Sequence, residues 1–368
     1  MSTQDIVIAT YHFKKIGGKE RDCIALVEHL AKHRWQVTVA TARPDFFLSY
    51  VRVVEIPVRG VTNCQKMQSF SMGVGELKQQ YPGVPFLGFN KVGGLDFYFA
   101  ADVCWLHRWK DSLKRFLPRY HAYLQLEGRL FSPDSQVQVA YLTDLQRCEY
   151  EKYYGSTKKG IVLPPAIPEL KLDRDASRRH LIKNNPLFAD SCLLLFVAAA
   201  PETKGIDRVI MALYFLLQSG KRCQLLVLGG ELPKAAGKLV ENYCLQQYVH
   251  CLGMVDYPTD YMQAADVLVH PAYTEAGGSV LIEAMASGLA IVCSKNCGFS
   301  SFVNDANAGL VLSEPFDQNE LNNQLLAMVD GRERREDHGK NGVAFLKQKF
   351  SESRVEAIEK WVKNNITK

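Results

Sequence analysis

Short apolar runs alternate along the whole chain with segments whose apolar residues recur every three or four positions. The runs at 5–10, 36–41, 85–89 and 137–142 read as strands, and the segment from about Arg21 to Lys32 reads as an apolar helix after a glycine turn. A proline-rich junction at Pro164, Pro165 and Pro168 interrupts the series, because proline resists helix there. A second series then begins, with strand-like runs at 193–197, 224–228, 266–270 and 289–293 and a helix around 206–217. The tail from Ser351 has Val355, Ile358 and Val362 on one helical face. Strand–helix alternation predicts an α/β fold with mostly parallel sheets. The junction divides the chain into 1–165, 166–350 and a terminal helix at 351–368.

At 368 residues, with 47% hydrophobic and 23% charged positions, the chain suits an ordinary globular protein of two domains. No run approaches the roughly 18 apolar residues that span a bilayer. The first residues lack the basic start and apolar core of a signal peptide, so a cytoplasmic protein is expected. Ten cysteines include no Cys-x-x-Cys pair, the nearest spacing being Cys293 to Cys297. No zinc site is expected from them. Reduced and mostly buried thiols fit better, with Cys192, Cys223 and Cys251 lying in apolar runs.

The net charge of +5 is concentrated, since residues 105–131 hold six cations against two anions. Arg108, Lys110, Lys114, Arg115 and Arg119 are interleaved there with Trp105, Trp109, Phe116, Tyr120 and Tyr123. Trp109, Leu113, Phe116, Leu117, Tyr120 and Leu124 fall near one face of a helix that Pro118 should kink. Cations beside aromatics suit an anionic membrane surface, with a packed helix carrying a solvated basic face as the alternative. No nucleic-acid-binding motif accompanies the patch.

The most informative stretch follows the run ending at His270. Glu275 and Glu283 stand eight positions apart, with Ala276, Gly277, Gly278 and Ser279 after the first. The order reads strand, glycine loop, helix. Free N–H groups and the dipole at a helix start favour an anion, and the glycines let a bulky one approach the backbone. Ser279 is placed as N-cap or first-turn residue. Carboxylates on either side of a bound phosphate would accept hydrogen bonds from sugar hydroxyls. The combination suits a sugar joined through a diphosphate to a ribose. On spacing alone, two glutamates that merely flank a helix remain an alternative.

The stretch resembles the Glu-x7-Glu signature of retaining, nucleotide-sugar-dependent glycosyltransferases of the GT-B architecture. Further segments sharpen the resemblance: Gly88 to Asp96, Ala101 to Cys104, Leu163 to Pro165, Lys204 to Arg208, His270 to Tyr273 and Asp305 to Gly309. Together they are similar to the lipopolysaccharide inner-core glucosyltransferases that add glucose to heptose, over nearly the whole chain. The resemblance implies two Rossmann-like domains facing across a cleft, the first binding acceptor and the second nucleotide-sugar, with the terminal helix crossing back to the first. It implies UDP-glucose as donor substrate, no cofactor, and a peripheral place on the inner face of the inner membrane. No paired-aspartate motif suggests an essential metal. Glu283 would hold the ribose and Glu275 the donor sugar. Lys204 would neutralise the diphosphate, with Arg208 one turn further on. Relatives often carry an arginine five residues before the lysine, where this chain has Ala199.

In the first domain, Gly17 and Gly18 would approach the phosphate or sugar, although their spacing is not that of a dinucleotide fingerprint. Asp22 matches an aspartate of the family, and a first-turn aspartate also stabilises its own helix. Asn90 and Lys91 match the block for acceptor contacts. His107 reads as a surface residue and His270 as a structural one. The run Ala235–Lys238 lacks the Ser/Thr and first glycine of a phosphate loop. Two other functions stay open: a nucleotide-sugar epimerase, and a non-catalytic membrane- or sugar-binding module.

Overall fold

The computed structural model describes residues 4–15, 17–109, 112–155 and 160–366, and of Lys114 only the backbone. The chain forms two compact units, Met1–Pro165 with Glu352–Lys368, and Ala166–Ser351.

The first unit is built on β1 (Gln4–Phe13), β2 (Trp35–Pro44), β3 (Arg52–Glu55), β4 (Phe86–Gly88), β5 (Phe97–Ala100), β6 (Gln138–Tyr141) and β7 (Gly160–Val162). These pair in the order β3-β2-β1-β4-β5-β6-β7, every pair parallel. Side chains alternate across a strand, and β1 divides accordingly. Ile6 and Ile8 join the core beneath Leu26, Val27, Ile358 and Trp361, whereas Val7 and Ala9 join the core with Phe70, Val74 and Phe131. Both faces are therefore covered, which explains the nearly continuous apolar run.

Helix Arg354–Ile366 belongs to this unit. Trp361 meets Phe97 edge-to-face with centroids 5.0 Å apart. The Arg354 guanidinium donates to the Pro164 carbonyl at 3.0 Å and pairs with Asp22 at 2.9 Å.

The second unit carries β8 (Cys192–Ala198), β9 (Cys223–Gly229), β10 (Val249–Gly253), β11 (Val267–His270), β12 (Ala290–Ser294) and β13 (Gly309–Leu312). Their order is β10-β9-β8-β11-β12-β13, again parallel throughout. Leu194 and Phe196 face helix Ile206–Gln218, while Leu193 and Leu195 face the core with helix Ser279–Ala286. Each large apolar side chain buried this way contributes about 1.5–3 kcal/mol. In both sheets the strand order reverses once, at β1/β4 and at β8/β11, and the carboxyl ends of strands at such a switch point form a crevice.

Two expectations are corrected. Cys251 is exposed, because β10 is the edge strand and its last three residues are solvated. The basic segment is not one kinked helix. It breaks into helix Trp105–Trp109, a 3-10 turn Leu113–Phe116 and helix Pro118–Phe131, with Pro118 opening the last helix. A first-turn proline costs no hydrogen bond, so it starts a helix here. Among the described residues no helix is long and apolar enough to cross a membrane.

Candidate functional site

The switch point of the second sheet brings together two segments distant in sequence. Lys204 follows β8 through the 3-10 turn Pro201–Thr203, and Glu275 follows β11. The Lys204 ammonium lies 2.7 Å from Glu275 Oε2 and donates to the Thr274 carbonyl at 3.1 Å. Glu275 Oε1 accepts from the Ala276 N–H at 3.1 Å, and His270 Nε2 stands 3.4 Å from Oε2. Burial alone would raise the Glu275 carboxyl. The His270 hydrogen bond and the Lys204 charge outweigh that and push it down to about 2.

Backbone geometry makes this arrangement possible at two glycines. Gly205 has φ 79°, and a Cβ there would lie 2.2 Å from the Pro271 carbonyl oxygen. Gly278 has φ 83° and forms the N-cap of helix Ser279–Ala286, with no side-chain cap. Left-handed φ favours glycine at both. The first-turn N–H groups of this helix therefore lack side-chain capping, and Ser279 stands in that first turn. Gly277 is pinned through its carbonyl by the Phe299 N–H at 2.8 Å. Asn296 donates to the Ala272 and Tyr273 carbonyls at 3.2 and 3.0 Å, fixing the loop from beneath. Glu283 stands about one turn inside the helix, half-buried, and its carbonyl accepts from Ser287.

Arg208 is held by packing. Its guanidinium lies between the rings of Tyr273 and Phe316, 3.7 Å from each centroid, and donates to the Pro271 carbonyl at 2.9 Å. Tyr273 is held in turn by its hydroxyl on Asp207 at 2.7 Å. His270, read from sequence as structural, and Tyr273, given no role of its own, are thus both parts of the site. The available signal was their position, at a strand end and in the loop leading to Glu275.

In the first unit, Gly17 (φ 109°) caps helix Gly18–Lys32 after the carboxyl end of β1. The Asp22 carboxylate is engaged by Arg354. Asn90 follows β4, 7% exposed, and its Oδ1 accepts from the Tyr11 N–H at 2.8 Å, tying the ends of β1 and β4 together. Lys91, expected among the acceptor contacts, is instead 8% exposed. Its ammonium pairs with Glu127 and donates to the Val103 carbonyl at 2.9 Å. A buried ammonium needs such partners, and they turn this side chain away from solvent.

In the basic segment, Leu113, Phe116 and Leu117 are 82%, 67% and 53% exposed. The Arg108, Arg115 and Arg119 guanidiniums lie over the rings of Trp109, Phe116 and Tyr123, at 5.1, 5.0 and 5.8 Å. Lys110 and the side chain of Lys114 lie outside the described residues.

Residues 177–345 match the profile of the family described as "Glycosyl transferases group 1". The chain is 32% identical to lipopolysaccharide glucosyltransferase WaaG of Escherichia coli over 333 residues, covering 87% of this chain and 88% of that one. The chain belongs to the group 1 glycosyltransferases. This glycosyltransferase also superimposes on the crystal structure of WaaG, described as involved in lipopolysaccharide biosynthesis, with TM-score 0.89 and 30% identity over 96% of this chain and 98% of that one. Its two parallel sheets of seven and six strands make the GT-B fold. Sucrose-phosphate synthase from Thermosynechococcus elongatus (TM-score 0.83, 20% identity, 99% of each chain) shares that fold. So does HepE from Anabaena, solved with UDP and glucose (TM-score 0.76, 16% identity, 99% of each chain).

Proposed function

We propose that this glycosyltransferase moves glucose from UDP-glucose to a heptose of the lipopolysaccharide inner core, retaining the anomeric configuration. The observation that carries the reading is the Lys204–Glu275 pair at a helix start that has no side-chain cap, with Glu283 one turn further on. The 32% identity to a lipopolysaccharide glucosyltransferase supports the choice of sugar and acceptor.

Residues 166–350 would bind the donor and residues 1–165, with Gly17, Gly18, Asp22 and Asn90, would serve acceptor and donor contacts. Glu283 accepts the ribose hydroxyls, and Glu275, kept ionised, accepts hydroxyls of the glucose. The N–H groups around Ala276–Ser279 and the Lys204 ammonium stabilise charge on the departing diphosphate. Such donors are worth most when fixed before the charge develops. A diphosphate arriving at the helix start competes with Glu275 for Lys204, so donor binding redistributes a cation already in place. No protein nucleophile is assigned, and the departing phosphate would assist front-side attack by the acceptor hydroxyl. No metal is assigned to the reaction.

Arg108, Trp109, Lys110, Lys114, Arg115 and Arg119 would hold the enzyme on the anionic inner face of the inner membrane, where a lipid-anchored acceptor lies. The exposure of Leu113, Phe116 and Leu117 among these cations supports this.

The test is transfer to a heptose-terminated core oligosaccharide from a panel of UDP-, GDP- and ADP-sugars, with the product linkage read by NMR. Glucose in α linkage from UDP-glucose supports the proposal. An altered sugar nucleotide formed without acceptor would make the protein an epimerase. Nucleotide-independent binding to lipopolysaccharide or anionic vesicles, without transfer, would make it a binding module.

A further inference from the structure

Away from the donor loop, the first unit gathers three metal-ligating side chains on two packed helices. His29 and His33 stand four positions apart at the end of helix Gly18–Lys32, and Glu359 lies on helix Arg354–Ile366. One ring nitrogen of each histidine and one Glu359 oxygen lie within 4.8 Å of one another. The two rings are 4.1 Å apart, and His29 Nε2 is 2.8 Å from Glu359 Oε2. Histidines at i and i+4 share one helical face, which supplies two imidazoles without backbone rearrangement.

Two outer contacts orient the donors as a bound cation needs. His33 Nδ1 donates to the His29 carbonyl at 2.8 Å, which holds the ring and leaves the lone pair on Nε2. Glu359 Oε1 accepts from Trp35 Nε1 at 2.9 Å and pairs with Lys363 at 2.7 Å. Oε2 is thereby oriented toward the histidines. Lys363 opposes a second cation, but it stands on the other oxygen and is 47% exposed, so its ammonium is able to withdraw into solvent. Zinc bonds of about 2.0–2.2 Å place tetrahedral ligands roughly 3.3 Å apart. The His29 and Glu359 donors stand 2.8 Å apart and all three lie within 4.8 Å of one another, so small side-chain movements meet that spacing.

We propose that His29, His33 and Glu359 form a site for a divalent ion of the zinc class that clamps the C-terminal helix onto the first helix. Two neutral imidazoles and one carboxylate form a donor set suited to zinc, with a fourth position open to water beside the exposed His33. The ion would be structural. The expectation of no metal rested on absent Cys-x-x-Cys and paired-aspartate motifs, neither of which bears on an i, i+4 histidine pair completed by a residue 330 positions away.

The test uses tag-free, full-length, chelator-treated protein titrated with zinc chloride in a calorimeter. One equivalent is expected to bind and to raise the melting temperature by mass action. Cobalt(II) in its place should show the visible bands of tetrahedral coordination. His33→Ala, an exposed substitution, should lower zinc affinity at least about tenfold, since even outer-shell changes cost that much. Glu359→Gln keeps the side-chain shape should the loss of His33 prove uninformative, and should weaken zinc similarly with the helical circular dichroism retained. No bound zinc, or equal affinity in wild type and His33→Ala, overturns the proposal.

Discussion

Two lysine–glutamate pairs in this chain use the same chemistry in different surroundings. Lys91–Glu127 lies inside the first unit, with side chains 9% and 0% exposed. Lys204–Glu275 lies at the sheet switch point of the second, 22% and 16% exposed. Glu127 also accepts from the Trp105 N–H at 2.8 Å and the Tyr154 hydroxyl at 2.9 Å, so its oxygens are saturated by the protein. The surroundings of Glu275 are backbone, His270 and the first turn of an uncapped helix. A pair closed on all sides holds a fold together, whereas a pair beside spare donors is poised to exchange a partner. Identical residue types thus serve structure in one unit and are proposed to serve chemistry in the other.

The comparison breaks most sharply at Glu127. Replacing it with alanine strands a buried ammonium, an N–H and a hydroxyl together, and should destabilise the first unit by about 3–5 kcal/mol. Lys91→Met should cost less, because Glu127 keeps its two neutral donors. Denaturant unfolding measures both, and a Glu127→Ala protein as stable as wild type would remove the structural half of the contrast.

At the other pair the expected loss is in rate. Lys204→Ala and Glu275→Ala should each lower the turnover number by on the order of 10²–10³, the scale of deleting a preorganised electrostatic contact. The unfolding cost of Lys204→Ala should be smaller than that of Glu127→Ala, because the lysine reaches solvent and Glu275 keeps its His270 and Ala276 contacts. Unfolding losses as large as those of Glu127→Ala would show that both pairs are structural.

Glu283 sharpens the division within the donor site. A hydrogen bond from a ribose hydroxyl to a carboxylate, worth about 1.5–3 kcal/mol, would be lost in Glu283→Ala. The dissociation constant for UDP should rise on the order of ten- to a hundred-fold, with turnover at saturating donor near wild type. Wild-type UDP affinity in this variant would remove Glu283 from the ribose site.

How much of this was legible beforehand follows from range and burial. The central strands β1, β2, β8, β9, β11 and β12 are apolar and mostly buried because helices cover both their faces. Strand β3 is Arg52–Glu55, short and half-exposed, and edge strand β10 ends in solvated residues, so neither stands out by hydrophobicity. Glu275 and Glu283 were readable because eight residues and one loop contain them. Lys204 was assigned by resemblance alone, since its contact with Glu275 is made by the sheet topology. The Lys91–Glu127 pair spans 36 positions and depends on where helix Pro118–Phe131 packs, which no local spacing encodes.

The smallest expected effect concerns pH, and it tests whether Glu275 is poised as described. Its ordinary value is 4.5 and its value in the folded protein is about 2. A carboxyl depressed on folding contributes stability that is fully present above the unfolded value and is lost as pH falls toward the folded one. The stability difference between wild type and Glu275→Gln should therefore be flat from pH 5 to 8 and should shrink below about pH 4.5. The turnover number should likewise show no acid limb from Glu275 above about pH 5, so a limb near neutrality would belong to another group. His270→Ala removes the leading contact opposing burial, leaving Lys204 as the main restraint, and should raise the folded value, so that the loss still begins near pH 4.5 but is smaller and complete at a higher pH. An acid loss of unchanged size and lower limit in His270→Ala would mean that Lys204 alone holds the carboxylate, and would leave His270 the packing role that its place before Pro271 suggests.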